Sequence, residues 1–117
     1  MFRRTVFALA LLLVLAFATP RAQVRDDAKA QVAFGIEVAR RGLWRDALYR
    51  WQRAIDLDPT YAPAWNNLGI AFEYEGRFDE AREAYETALD LDPDNLWIEQ
   101  NYDLFLEVND RVSQNSR

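Results

Sequence analysis

Apolar residues recur at helical spacing along most of this chain, in stretches separated by glycine or proline. Trp65 and Phe72 lie on one stripe of a predicted helix, Gly76 interrupts the pattern, and a second apolar stripe then runs to Pro93. Residues 28–61 follow the same order of helix, glycine, helix and proline. The pattern therefore predicts an all-α fold made of two helical hairpins.

The two hairpins are tandem copies of one another. Residues 28–61 placed over 62–95 match at eleven positions, where average composition gives about two or three. A repeat of this length indicates stacked helical units. The identical pairs are Ala28/Ala62, Ala30/Ala64, Gly35/Gly69, Ile36/Ile70, Gly42/Gly76, Ala47/Ala81, Ala54/Ala88, Asp56/Asp90, Leu57/Leu91, Asp58/Asp92 and Pro59/Pro93.

This pattern resembles the tetratricopeptide repeat. The residues that carry the resemblance in the second copy are Trp65, Leu68, Gly69, Phe72, Gly76, Ala81, Tyr85, Ala88 and Pro93. The first copy departs from the motif at Gln31 and Phe34, as edge repeats often do. The resemblance implies two helix-turn-helix repeats, 28–61 and 62–95, stacked as a right-handed α-solenoid.

The segments that flank the repeats are predicted from weaker patterns. Residues 19–27 form an N-terminal lead-in, and 96–112 form one capping helix, for which Asp94 is the candidate N-cap. The polar tail 113–117 is predicted to be disordered.

The segment 1–18 has the features of a secretory signal peptide. Arg3 and Arg4 precede an uncharged run from Val6 to Ala18, and residues 16–18 fit a small-x-small cleavage site. This run is shorter than the roughly 20 residues that span a bilayer, which favours a cleaved signal peptide. An uncleaved membrane anchor is the alternative. We expect a periplasmic or secreted protein, and the dominance of arginine over lysine points to a bacterial source.

Composition narrows the chemistry. The chain has no cysteine and no histidine, which removes thiolate ligands and the commonest general base and metal ligand. Without Arg3 and Arg4 it carries 12 basic and 19 acidic residues, and this net charge of −7 disfavours nucleic acid. We expect no catalytic, metal or cofactor site, and a protein or peptide as the partner.

The resemblance implies a concave groove lined by the first helix of each repeat and by the cap. Ile36, Ile70 and Leu104 recur at one offset of the repeat and predict an apolar strip along it, unless they only pack between helices. Trp44, Trp51 and Trp65 fall on core offsets, whereas Trp97 does not. The predicted groove residues are Val32, Ile36, Ala39, Arg40, Asn66, Ile70, Glu73, Tyr74, Gln100 and Leu104.

Two further features shape the expected function. Only Asn67 fits the clamp that members of the resembled family use for peptide carboxylates, so binding of that kind is not expected. Residues 28–61 carry six basic and four acidic residues, and 62–95 carry two and nine. These charges are either solvated helix faces or a basis for head-to-tail self-association. We expect an exported adaptor, with a self-assembling envelope subunit as the alternative.

Overall fold

The computed structural model describes residues 20–117, and this part of the chain is helical with no strand. Both predicted hairpins and the predicted final helix are present, which confirms the all-α solenoid. The predicted signal peptide, 1–18, lies outside the described residues. The helices are α1 (Arg21–Arg40), α2 (Trp44–Leu57), α3 (Ala62–Tyr74), α4 (Phe78–Leu91) and α5 (Leu96–Asn115).

Each hairpin turns at a glycine with a left-handed backbone. Gly42 has φ 78° and Gly76 has φ 72°, a region that costs other residues steric strain. The N–H of Leu43 donates to Val38 O at 3.1 Å and that of Gly42 to Ala39 O at 2.8 Å. This pair of bonds is a Schellman motif, which satisfies the last carbonyls of α1. The same motif ends α3 at Gly76, so the second helix of each repeat starts in the same direction.

The two helices of each repeat cross where the first carries a glycine. A Cβ placed on Gly35 would lie 2.3 Å from Trp51 Nε1, and one on Gly69 would lie 2.9 Å from Tyr85 Cε1. Trp51 and Tyr85 are buried, and the Trp51 indole also donates to Val32 O at 3.1 Å. The missing side chains therefore make room for two large aromatic rings.

Helix α5 closes the second repeat. Ile98 is fully buried against Ala62 and Ala88, and Phe105 is buried beside Tyr85 with 5.5 Å between ring centroids. Ala88 is fully buried, and its small side chain lets α5 approach α4. None of the five helices in residues 20–117 combines the length and the apolar character needed to span a bilayer.

The start of α5 is capped one residue later than predicted. Asn95, and not Asp94, is the N-cap: its Oδ1 accepts from Trp97 N at 3.1 Å and Ile98 N at 3.3 Å. Asp92 accepts from Asn95 Nδ2 at 2.9 Å and orients the cap. The prediction of Asp94 was wrong because the turn after Pro93 places the side chain of Asn95, and not that of Asp94, against the free N–H groups.

Helices extend into both segments that flank the repeats. The lead-in 19–27, for which the sequence predicted no conformation, is helical from Arg21, and its Arg25 is ion-paired with Asp58 and donates to Thr60 Oγ1 at 3.0 Å. The tail 113–117 was predicted to be disordered, yet α5 continues to Asn115. Ser113 Oγ donates to Asn109 O at 2.9 Å, a bond within the helix. Every residue from 110 onward is exposed, so local contacts alone hold this last part.

Candidate functional site

An apolar pocket lies where the first repeat meets α3. Its volume is about 260 Å³. Ile36 and Ile70 are half-buried, while Arg40 is exposed at the end of α1. The pocket is lined by Ile36, Ala39, Arg40, Trp44, Trp51, Asn67 and Ile70. Two residues of the predicted apolar strip thus contribute to one concavity.

Trp44 and Tyr74 stack on each other across the boundary between the repeats. Their ring centroids are 3.6 Å apart with an angle of 12° between the planes. Tyr74 is 65 % exposed and Trp44 lines the pocket, so the pair forms an accessible aromatic wall. Trp44 was assigned to the core from its offset in the repeat. That assignment was incomplete, because its ring packs on the next repeat and also faces the pocket.

Three asparagines form a hydrogen-bonded series that we name the amide ladder: Asn101, Asn66 and Asn67. Asn101 Nδ2 donates to Asn66 Oδ1 at 3.1 Å, and Asn66 Nδ2 donates to Asn67 Oδ1 at 3.3 Å. Asn66 and Asn67 are buried, at 0 % and 3 % exposure. The ladder ties α5 to α3 and gives each side-chain carbonyl oxygen of the two α3 asparagines a donor.

The ladder ends in an unused donor. Asn66 Oδ1 accepts a hydrogen bond from Asn101, and this fixes the Asn66 amide with its Nδ2 toward Asn67. Asn67 therefore uses its Oδ1 as the acceptor. Asn67 Nδ2 is left as the one buried side-chain nitrogen or oxygen without a hydrogen-bond partner among residues 20–117. Such a donor costs roughly 1–3 kcal/mol. Asn67 lines the apolar pocket, but its Nδ2 has less than 1 Å² of accessible surface and stays inside the packed helices.

Glu73 is a carboxylate on α3, the helix that also carries Asn66 and Asn67. It is half-buried and accepts a short hydrogen bond from the Tyr85 hydroxyl. Burial raises the pKa of Glu73, although the bond from Tyr85 acts in the opposite direction. Burial and the adjacent Glu73 also raise the pKa of Tyr85, which stays a donor. Glu73 is therefore occupied by its own repeat and is not a free ligand for a partner.

Glu73→Gln should become relatively more stable than the unmodified protein as the pH rises. A carboxyl whose pKa is raised in the folded state contributes its stabilisation below the unfolded value, about 4.3, and loses it as the pH rises through the folded value. Glutamine does not titrate and still accepts from Tyr85. The difference in urea midpoint between the two proteins should widen from pH 3.5 to pH 7. Glu75→Gln, at an exposed position, controls for the loss of one charge; equal pH dependence of both variants would contradict the assignment.

The structure divides the predicted groove residues into three groups. The first group lines the pocket and consists of Ile36, Ala39, Arg40 and Ile70. Tyr74 lies beside it, stacked on the pocket residue Trp44. Val32 and Asn66 do not line an accessible surface, because they are only 6 % and 0 % exposed, and Asn66 is bonded to Asn101. Gln100 and Leu104 are exposed on α5, outside the pocket, and Glu73 faces Tyr85.

A second apolar surface runs along α5. Trp97, Leu104 and Val108 are 48 %, 61 % and 50 % exposed, at spacings of seven and four residues. They share a face with Asn101, whose side chain reaches α3. The exposed Trp97 was anticipated, because it alone of the four tryptophans falls off the core offsets. Leu104 therefore lies on the α3 side of α5, as its offset in the repeat predicts.

Comparison with known proteins agrees with this architecture. Residues 62–95 match the model of the tetratricopeptide repeat, and residues 39–73 match a second model described as TPR repeat. The chloroplastic protein PYG7 of Arabidopsis thaliana, named as containing a tetratricopeptide repeat domain, is 34 % identical over 71 residues. These residues are 61 % of this chain and 24 % of PYG7, so the chain spans about a quarter of that relative.

Solved structures show the same fold. The crystal structure of the MamA protein aligns with a TM-score of 0.63 and 29 % identity, over 74 % of this chain and 47 % of that one. The C-terminal TPR-containing domain of a putative FK506-binding protein from Plasmodium falciparum aligns with a TM-score of 0.69, over 92 % of this chain and 74 % of that one. At 19 % identity, the second likeness concerns the fold alone.

Proposed function

Because this chain carries tetratricopeptide repeats, we propose that it is an exported, non-catalytic adaptor that binds an extended segment of a partner protein in its concave groove. The observation that carries the proposal is the apolar pocket that ends the amide ladder. The half-buried Ile36 and Ile70 supply apolar area for a partner, and the Trp44–Tyr74 stack beside the pocket adds aromatic surface. The apolar face of α5 extends the surface beyond the pocket.

The export part of the proposal rests on residues 1–18 of the sequence. A charged start, an apolar run and a small-residue site fit cleavage near Ala18. The mature protein is then periplasmic or secreted, and an uncleaved anchor is the alternative. A partner would be met in the same compartment.

The groove is tested by crosslinking from inside the cell envelope. A photo-crosslinking amino acid at exposed Tyr74 should capture a partner, whereas the same group at Gln52, exposed on α2, should not. Ile70→Asp places a charge in the apolar pocket and should reduce the captured partner by about tenfold or more, since an unpaired buried charge is costly. Circular dichroism checks that the variant remains helical.

Two results would overturn the groove proposal. One is equal capture from Tyr74 and Gln52. The other is unchanged capture by a folded Ile70→Asp variant. Mass spectrometry of the mature chain in the envelope fraction tests export at the same time, and an intact N-terminus in the cytoplasmic fraction would reject it.

A second candidate, head-to-tail association, is favoured by the N-terminal edge of the stack. Ala30, Ala33 and Phe34 are exposed on α1, whereas Ala64, Asn67 and Leu68, at the same offsets on α3, are buried. Arg50 covers part of this edge, with its guanidinium 4.3 Å from the Phe34 ring centroid. Crosslinks between two copies from a group at Ala33 would support this candidate over the adaptor. Their loss at high salt would show that the charge difference between the repeats contributes as well as the apolar edge.

A further inference from the structure

The exposed apolar row on α5 extends past the end of the repeats. Helix α5 runs to Asn115, whereas α3 ends at Tyr74, the residue that corresponds to Val108 by the offset of the repeat. Residues 109–115 add roughly 10 Å of helix at 1.5 Å per residue. Val112 continues the row there and is 48 % exposed. The row therefore continues where the helices of the chain itself do not cover it.

This row has the spacing of a seam between two packed helices. Trp97, Leu104 and Arg111 are seven residues apart, and Val108 follows Leu104 by four. Side chains three and four residues apart in alternation stay on one side of a helix that runs along another helix. Among residues 20–117, no second helix takes that place, since the apolar members are about half exposed. We name this set the α5 seam: Trp97, Leu104, Val108, Arg111 and Val112.

The order of residues along the α5 seam is self-complementary. Leu104 lies midway between Trp97 and Arg111. Two antiparallel copies of α5 that meet at Leu104 place each Trp97 beside Arg111 of the other copy, and a guanidinium over an indole ring is attractive. A parallel pair would instead bring the two Arg111 side chains together. The α5 seam thus meets the requirement of a two-fold interface, in which each patch faces its own copy.

The charges of α5 do not oppose this pairing. Glu99, Asp103 and Asp110 lie roughly 100–140° around the helix from Leu104, at 3.6 residues per turn. Arg111, the only basic residue of α5, is paired with Glu107 at 3.3 Å. This pair uses N–H groups at the edge of the planar guanidinium, so the face remains available for an aromatic ring. A second copy therefore covers the α5 seam without burying an unpaired charge.

We propose that two copies of the chain form an antiparallel, two-fold symmetric dimer through the α5 seam. Leu104 of each copy meets at the two-fold axis, and Trp97 stacks on Arg111 of the other copy at both ends. The dimer does not use the apolar pocket, which lies between the first repeat and α3. It does cover the apolar face of α5 that the proposed function assigns to a partner, so the second copy and the partner compete for that face.

Sedimentation equilibrium of the purified mature chain, over a range of protein concentrations, measures the dimer. Association should strengthen at high salt, because each copy carries a net charge of −7 without Arg3 and Arg4 and the copies repel one another. Head-to-tail association of the basic repeat with the acidic one should weaken at high salt instead. A chain that stays monomeric at every concentration and at both salt concentrations would overturn the proposal.

Matched variants locate the interface. Leu104→Glu brings two carboxylates together at the axis and should weaken the dimer by about tenfold or more. Leu43→Glu makes the same change at a 47 % exposed leucine in the turn of the first repeat, and should leave the dimer intact. Ile70→Asp should also leave it intact, so loss of the groove function and loss of the dimer are distinguishable. Equal weakening by Leu104→Glu and Leu43→Glu, with circular dichroism unchanged, would reject the α5 seam.

Single cysteines report the orientation of the helices, because the chain has none of its own. Leu104→Cys should form disulfide-linked dimers under mild oxidation, and Trp97→Cys mixed with Arg111→Cys should do so as well. Arg111→Cys alone should not, since its two copies lie roughly 20 Å apart in the antiparallel pair and a disulfide needs Cα atoms within about 7 Å. Linked dimers from Arg111→Cys alone, or none from Leu104→Cys, would overturn the antiparallel pairing.

Discussion

Replacing Gly35 with leucine should lower the free energy of unfolding by about 3 kcal/mol, the upper part of the usual range for overpacking. Even the first added carbon would lie 2.3 Å from Trp51 Nε1 and 2.7 Å from its Cδ1. The indole cannot move aside easily, because it is buried and donates to Val32 O. The gain of up to about 1 kcal/mol from removing a helical glycine offsets only part of this cost.

Thermal denaturation followed by circular dichroism measures the effect. Each kcal/mol shifts the midpoint by roughly 4–8 °C in a domain of this size. Ala33→Leu adds the same side chain to an exposed position of α1 and should leave the midpoint nearly unchanged. Trp51→Ala combined with Gly35→Leu should be less destabilised than the two changes predict separately, because leucine then fills the vacated space. A normal midpoint for Gly35→Leu alone would show that α1 and α2 do not cross at Gly35.

Phe105→Ala should cost about 3–5 kcal/mol, the range for truncating a buried phenylalanine. Phe105 is 1 % exposed and contacts the rings of Tyr85 and Tyr102, at centroid distances of 5.5 and 6.2 Å. Two repeats and one further helix make a small core, and domains have only about 5–15 kcal/mol in total. The variant should therefore lose α5 or unfold as a whole.

Urea denaturation monitored by helicity and by tryptophan fluorescence tests this expectation. Val108→Ala lies on the same helix but at a half-exposed position, and should change stability by about 0.5 kcal/mol or less. Equal midpoints for the two alanine variants would mean that α5 does not cover the second repeat. A loss of helicity in Phe105→Ala that precedes the change in tryptophan fluorescence would locate the damage at the C-terminal end, because three of the four tryptophans lie outside α5.

The repeats show how far sequence reasoning reaches in this chain. The glycines at the turns and the prolines after the hairpins each act within a short stretch of backbone, and the helices start and stop where these signals place them. Gly42 and Gly76 are informative because a positive φ is a local demand. The sequence predicted no conformation for the lead-in, where Arg25 makes a remote contact with Asp58.

The candidate site was anticipated only in part. Ile36 and Ile70 were identified by their recurrence, and they do line the pocket. Val32 and Asn66 came from the same kind of offset and are buried. Whether a side chain on the inner face of a helix is open or covered depends on its neighbours in α2 and α5, and the repeat pattern does not report them.

The sequence by itself determined the number of repeats, the helix–turn–helix order and the position of the final helix, because these follow from local backbone preferences and periodic burial. The tertiary structure alone decided which groove side chains are accessible, that Trp44 stacks on Tyr74, and that the amide ladder leaves Asn67 with an unused donor. These features join residues on different helices, so their geometry exists only once the helices are packed.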